Sequence, residues 1–201
     1  MSTEGAALVG LLSALIPLSS ALIGAVFGPW FRARLVDRPQ FSLRLDPDDR
    51  ECVVDDSKTQ WARIAVRNSG RVHVTSCQAF VTEIKQERNG RWEDTEPRFI
   101  EPLVLEWAAM PDEVKYTPKQ IPRGMTFLGN FVAATATGEY QNKLLLSVYH
   151  WPHRIREIFA ERRRYCFTLT VTGDQVEPKT ISVIVNWTEN WKFETSHGPC
   201  T

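Results

Sequence analysis

From Ala6 to Phe31 the chain carries no charged residue, and no other feature restricts its fold as much. As a helix this run would rise about 39 Å, against a hydrocarbon core of about 30 Å. Residues 6–31 therefore read as a transmembrane helix with some tilt. A secretory signal peptide would begin with basic residues, hold an apolar core of roughly 7–15 residues and end on small ones. Here Glu4 stands where a base belongs, and the run closes on Trp30, Phe31, Arg32, Ala33 and Arg34. A buried core helix would be shorter and would show a polar stripe.

The flanking charges orient the span. Residues 1–5 form a short N-terminal tail with Glu4, whereas the juxtamembrane linker at 32–39 holds Arg32, Arg34 and Arg38 against Asp37. The positive-inside rule puts the N-terminus outside and everything after the span in the cytoplasm. The expectation is a single-pass protein of the cell inner membrane, with Trp30, Phe31, Arg32 and Arg34 as its anchor at the headgroup level. Ser20, Gly24 and Gly28 recur every fourth residue, a stripe that lets two helices approach closely and form a homo-oligomer. Glycine is common in membrane helices, so the same pattern also arises without pairing.

Period-two alternation dominates the rest. Phe41, Leu43 and Leu45 share one face; Ala62, Ile64 and Val66 alternate with Trp61, Arg63, Ala65 and Arg67; Cys77, Ala79 and Val81 follow. Leu103, Leu105 and Trp107, then 127–132, then Leu144, Leu146 and Val148 continue the series. The clearest pair is Phe167, Leu169, Val171 and Ile181, Val183, Val185, Trp187. Successive side chains of a strand point to opposite faces, so each alternation marks a half-buried strand. Seven or eight of them separated by turn signals predict an all-β, antiparallel β-sandwich at 40–190, with one short helix and a C-terminal tail at 191–201. Trp191 and Phe193 lead us to expect that the tail packs back in part.

The run Ile64-Ala-Val-Arg-Asn-Ser-Gly-Arg-Val, followed by Cys77-Gln-Ala-Phe-Val-Thr-Glu-Ile, resembles the second and third strands of immunoglobulin-like bacterial sandwich domains of the cell-adhesion-related type. Tyr165 to Val171 and Pro178 to Trp187 are similar to their last hairpin. Together with the anchor, the chain resembles bacterial membrane-anchored proteins of this architecture. The resemblance implies a fold, and a fold does not imply a function. Unlike antibody-type domains, the second strand carries no cysteine. Cys77 is expected to point inward and Cys166 outward, so no core disulfide is expected.

Charge and motifs exclude more than they assign. The 24 basic and 24 acidic residues balance, leaving no global field to draw in nucleic acid or an acidic substrate. Cys52, Cys77, Cys166 and Cys200 are widely spaced with no zinc pattern, which suits a reduced cytoplasmic domain with unpaired thiols. His150 and His153 flank Pro152 without a third ligand. Asp46, Asp48, Asp49, Asp55 and Asp56 do not fit a calcium loop. Asn186-Trp-Thr188 is a glycosylation sequon by letter but lies in an expected strand. His73 and His197 have no partner in sequence. Tyr165, just before a strand, is similar to a tyrosine corner, a packing device. No catalytic residue, metal site or cofactor is expected.

One segment suggests a surface. Trp151, Ile155, Ile158 and Phe159 fall at helical spacing, with Arg154, Arg156, Arg162, Arg163 and Arg164 making up most of the other face. Such a helix either caps the sandwich or lies against an anionic surface. The leading expectation is a non-catalytic interaction module that recruits or senses a protein partner at the inner membrane face. The alternative is a membrane sensor or effector whose helix self-association responds to ligand or partner binding.

Overall fold

The computed structural model describes residues 27–28, 38–46, 51–54, 57–96, 98–99, 101–150, 158–159, 161–189 and 191–200. The chain divides into two compact units, 1–38 and 39–201. In the first, Phe27 and Gly28 are helical. Among the described residues no helix is long and apolar enough to cross a membrane. Most of the expected span, including Ser20, Gly24, Trp30, Phe31, Arg32 and Arg34, lies outside them.

The second unit is an all-β fold of two antiparallel sheets. The first sheet runs β1 (Phe41–Leu45), β3 (Ser57–Asn68), β9 (Thr126–Thr135), β10 (Leu144–Leu146), with β2 (Glu51–Val54) on β3 and β7 (Glu106–Trp107) on β9. The second runs β13 (Lys192–His197), β12 (Lys179–Glu189), β11 (Arg164–Thr172), β4 (Val74–Arg88), β5 (Arg91–Asp94). Two short strands, β6 (Leu103–Val104) and β8 (Lys119–Ile121), join the same edge of β4 as β5. The β4–β5 hairpin closes on Asn89 and Gly90, both at positive φ (52° and 75°), as a two-residue turn matched to strand twist requires.

Alternation made these strands and also glues the sheets. Ile64, Val66, Ala79, Val81, Phe167, Leu169, Val183 and Val185 are all buried in one core. Fully burying such a side chain is worth about 1.5–3 kcal/mol. Phe131 from the first sheet meets Phe167 from the second edge-to-face at 5.6 Å, and Phe159 adds rings at 5.0 Å to Tyr165 and 6.0 Å to Phe167. Leu103, Leu105 and Trp107 keep their common inward face, yet the segment is split. Leu103 pairs with β4 of the second sheet and Trp107 with β9 of the first, so the chain crosses between sheets within these few residues. Tyr165 is the expected corner: its hydroxyl donates to the carbonyls of Ile158 (3.0 Å) and Glu161 (2.6 Å).

Three expectations change. The stretch read as a tail contains β13, an edge strand on β12. It is tied to the other sheet by the Gln60 amide, whose Nε2 donates to Phe193 O (2.7 Å) while Oε1 accepts from Phe193 N (3.0 Å). The expectation of unpaired thiols fails for two cysteines: Cys166 and Cys200 form a disulfide, Cα–Cα 5.8 Å. Cys166 does point outward, between the core residues Tyr165 and Phe167, but the chain end folds over that face. Gly198 N donates to Ser182 O (3.4 Å), Lys85 Nζ donates to Cys200 O (3.3 Å), and Cys166 is fully buried beneath. Cys77 points inward as expected and is a buried free thiol. Finally, the short helix expected over 151–164 does not reach its arginine end. Ile158 is helical, whereas Arg164 opens β11, because pairing of the Tyr165–Val171 alternation with β4 and β12 overrides helical spacing.

Candidate functional site

A β-bulge on β9 shapes a concavity on the outer face of the first sheet. Ala62 faces Val132 but Arg63 faces Asn130, so Phe131 is the extra residue. On one side of it, Trp61 faces Ala133 across β3–β9 and Leu145 faces Ala133 across β9–β10. This outward row is apolar, and the small alanine leaves room beside the indole. On the other side Arg63 faces Asn130, and Glu106 of β7 takes the place of β10. That row is polar. A bulge re-aims side chains in this way, and it sets an apolar strip directly against a hydrogen-bonding strip.

The polar strip is closed on itself. Arg63 Nε donates to Asn130 Oδ1 (2.9 Å), and Asn130 Nδ2 donates to Glu106 Oε1 (3.0 Å). Tyr116 donates its hydroxyl to Glu106 Oε2 (3.3 Å), and Lys115 Nζ lies 3.4 Å from that oxygen and 3.0 Å from Asp112 Oδ1. Hydrogen bonding to Asp112, with the Glu106 charge nearby, pushes the Lys115 pKa above its ordinary value despite burial. Burial, then the Glu106 charge, pushes Tyr116 up. Both stay protonated at neutral pH.

Segment 108–118 holds these groups in place. Trp107 N donates to Lys115 O (2.8 Å), Ala108 N to Leu128 O (2.8 Å) and Lys115 N to Pro111 O (3.0 Å). Gln78 Nε2 donates to Tyr116 O (3.3 Å). Tyr149, 69% exposed, meets the Tyr116 ring edge-to-face at 5.2 Å. Between this segment and the sheet lies a cleft of about 540 Å³ lined by Trp61, Glu106, Lys115, Tyr116, Ala133, Tyr140, Leu145, Leu146, Ser147 and Val148. Its size and mixed lining are those of a small-ligand site.

The residues singled out in sequence lie elsewhere. Arg154 and Arg156 fall outside the described residues, as does His153. Arg162 is exposed. Arg163 pairs with Glu161 and donates to Gln86 Oε1 (3.4 Å). Arg164 Nη1 donates to both carboxylate oxygens of Glu87 (2.8 and 2.9 Å), and its guanidinium lies 5.6 Å from the Trp92 ring centre. Gly28 has open space where a Cβ would stand. Asn186 sits half-buried in β12 with its Oδ1 buried and unpaired. No group of three metal-ligating side chains occurs among the described residues. Sequence reading found Trp61 and Arg63 as outward residues but passed over Glu106, Lys115 and Tyr116. The signal present was the acid-base-aromatic content of 106–116, and only the bulge assembles it.

No protein family matches this chain, and no curated protein does. Among solved structures it is similar to beta-glucuronidase 2 of Bacteroides uniformis, bound to cyclophellitol-6-carboxylate aziridine. The identity is 13%, the TM-score 0.32, and the match covers 76% of this chain. The chain spans 15% of the length of that structure.

Proposed function

We propose that this chain is a single-pass, membrane-anchored, non-catalytic binding module whose immunoglobulin-like sandwich engages its partner through the cleft beside β9. The observation that carries the reading is the pairing of an apolar row, Trp61–Ala133–Leu145, with a polar row, Arg63–Asn130–Glu106, on one sheet face. A rigid scaffold that presents such a mixed surface beside an ordered loop is suited to recognition. The raised pKa values of Lys115 and Tyr116 suit fixed donors more than groups that exchange protons near neutral pH. The charge-free run at 6–31 supports the anchor.

The test places a photo-crosslinking residue at Tyr149, beside the cleft, or at Lys179, at the start of β12, in the full chain in native membranes. Adducts from position 149 that disappear with Trp61→Ala, and their absence from position 179, are the expected result. Equal or absent adducts at both positions refute it.

A second reading of topology rests on one observation. Arg32, Arg34 and Arg38 favour a cytoplasmic domain, but the Cys166–Cys200 bond favours the oxidising side of the membrane. In cells quenched with acid, a chain carrying Cys52→Ala and Cys77→Ala is labelled with a heavy maleimide under denaturing conditions. Two added labels support the cytoplasmic reading, and none supports the opposite side.

A further inference from the structure

We propose that the cleft is a carbohydrate site that takes one face of a neutral, hydroxyl-rich sugar ring on the Trp61 indole; this rests on reading the cleft as the binding site.

Three observations narrow the ligand. The first is charge. Glu106 and Asp112 are matched by Lys115 and Arg63 within one connected network. Of these, Glu106 and Lys115 line the cleft, one charge of each sign. An anion meets the carboxylate and a cation meets the ammonium, so the matched pair favours a ligand without net charge. The second is the adjacency of the two rows. An aliphatic chain would cover Trp61 and Leu145 but strip water from Glu106 and Lys115 without replacing its hydrogen bonds, which costs free energy. A sugar ring has both surfaces at once: a face of C–H groups with weak positive charge, and a rim of hydroxyls. The negative face of an indole attracts the former. Carboxylate, ammonium and phenol groups of the lining meet the latter, and Glu106 has acceptor capacity beyond the three donors it already holds.

The third observation is rigidity. Main-chain hydrogen bonds from Trp107, Ala108 and Lys115 hold the segment that carries Lys115 and Tyr116, and Trp61 stands on β3 within the sheet, paired with β9 at Ala133. Weak, hydroxyl-directed binding gains most from groups that lose little freedom on complex formation. Tyr140 is a further aromatic ring in the lining.

The test is saturation-transfer NMR on the full chain in detergent micelles, with neutral gluco-, galacto- and N-acetylglucosamine tetrasaccharides and an oligogalacturonate as the anionic probe. The expected result is transfer to ring C–H protons of at least one neutral tetrasaccharide. Trp61→Ala reduces its affinity at least tenfold, Trp61→Phe reduces it less, and Trp92→Ala, on the other sheet, leaves it unchanged. Unchanged thermal unfolding of each variant shows that the fold is intact. If only oligogalacturonate gives a Trp61-dependent signal, the neutral-sugar assignment is overturned while the cleft stays a binding site. If no probe gives a Trp61-dependent signal, the carbohydrate assignment falls, and the crosslinking at Tyr149 then decides the cleft itself.

Discussion

Removing the Cys166–Cys200 disulfide is the most informative perturbation of the fold. The bond closes a loop of sequence separation 34, and the loop-closure relation gives about 4 kcal/mol of stabilisation at 25 °C through the unfolded chain. The native side adds little beyond this, since the covering segment contributes the Gly198–Ser182 and Lys85–Cys200 hydrogen bonds at 3.4 and 3.3 Å. For a domain of this size each kcal/mol moves Tm by roughly 2–4 °C, so Cys166→Ser with Cys200→Ser should lower Tm by about 8–16 °C. The assay is thermal unfolding of the full chain in micelles, followed by tryptophan fluorescence, since Trp187 and Trp107 are buried. Dithiothreitol on the native protein should produce the same shift and add nothing to the double variant. A double-variant Tm within about 2 °C of the oxidised protein would mean that the unfolded chain is not constrained as the loop-closure relation assumes.

Other substitutions probe packing and titration. Phe167→Ala removes the ring that joins Phe131 and Phe159 and should cost about 3–5 kcal/mol in urea unfolding. Gly173→Ala would place a Cβ 2.7 Å from Val74 Cγ1 and 3.1 Å from Phe41 Cζ, an overpacking worth about 1–3 kcal/mol in the same assay. Gln60→Leu leaves both main-chain groups of Phe193 without the amide; a loss of about 1–3 kcal/mol should appear as faster hydrogen exchange at Phe193. Burial pushes the Cys77 thiol from 9.0 up to about 11 and the Tyr165 phenol from 10.0 up to about 12. Because these folded-state values lie above the unfolded ones, their contribution is complete below pH 9 and is lost as pH rises towards 12. Urea midpoints should hold to about pH 9 and then fall, and Cys77→Ala should remove the lower part of that decline.

The strands were legible because each is half-buried, and burial on one face leaves a period of two. The last hairpin shows this best: Phe167 opposes Val183 and Leu169 opposes Ile181, as the alternation implies. β13 escaped because its sequence, Lys192 to His197, buries only Phe193, so an edge strand resembles a tail. The arginines after Phe159 kept helical spacing, but Arg164 is held in β11 by Glu87 and by cross-strand pairing. The disulfide is not legible from side-chain direction, because an outward Cys166 says nothing of the chain end that covers its face. The cleft was illegible for another reason. One extra residue in β9 decides which of Asn130, Phe131 and Ala133 point outward, and no local pattern in 126–135 marks it.

The disulfide also changes how this domain bears load. Without it, tension at Cys200 would arrive at β13, the edge of its sheet, and peel that strand from β12 a few hydrogen bonds at a time. With it, tension passes directly to Cys166 in β11, the central strand, flanked by β4 and β12. Extraction then has to slide β11 past both neighbours, so that two ladders resist in parallel. The closed loop also withholds about 115 Å of contour length from extension. For a domain held at its other end by a membrane anchor, as proposed here, oxidation turns a zipper into a clamp.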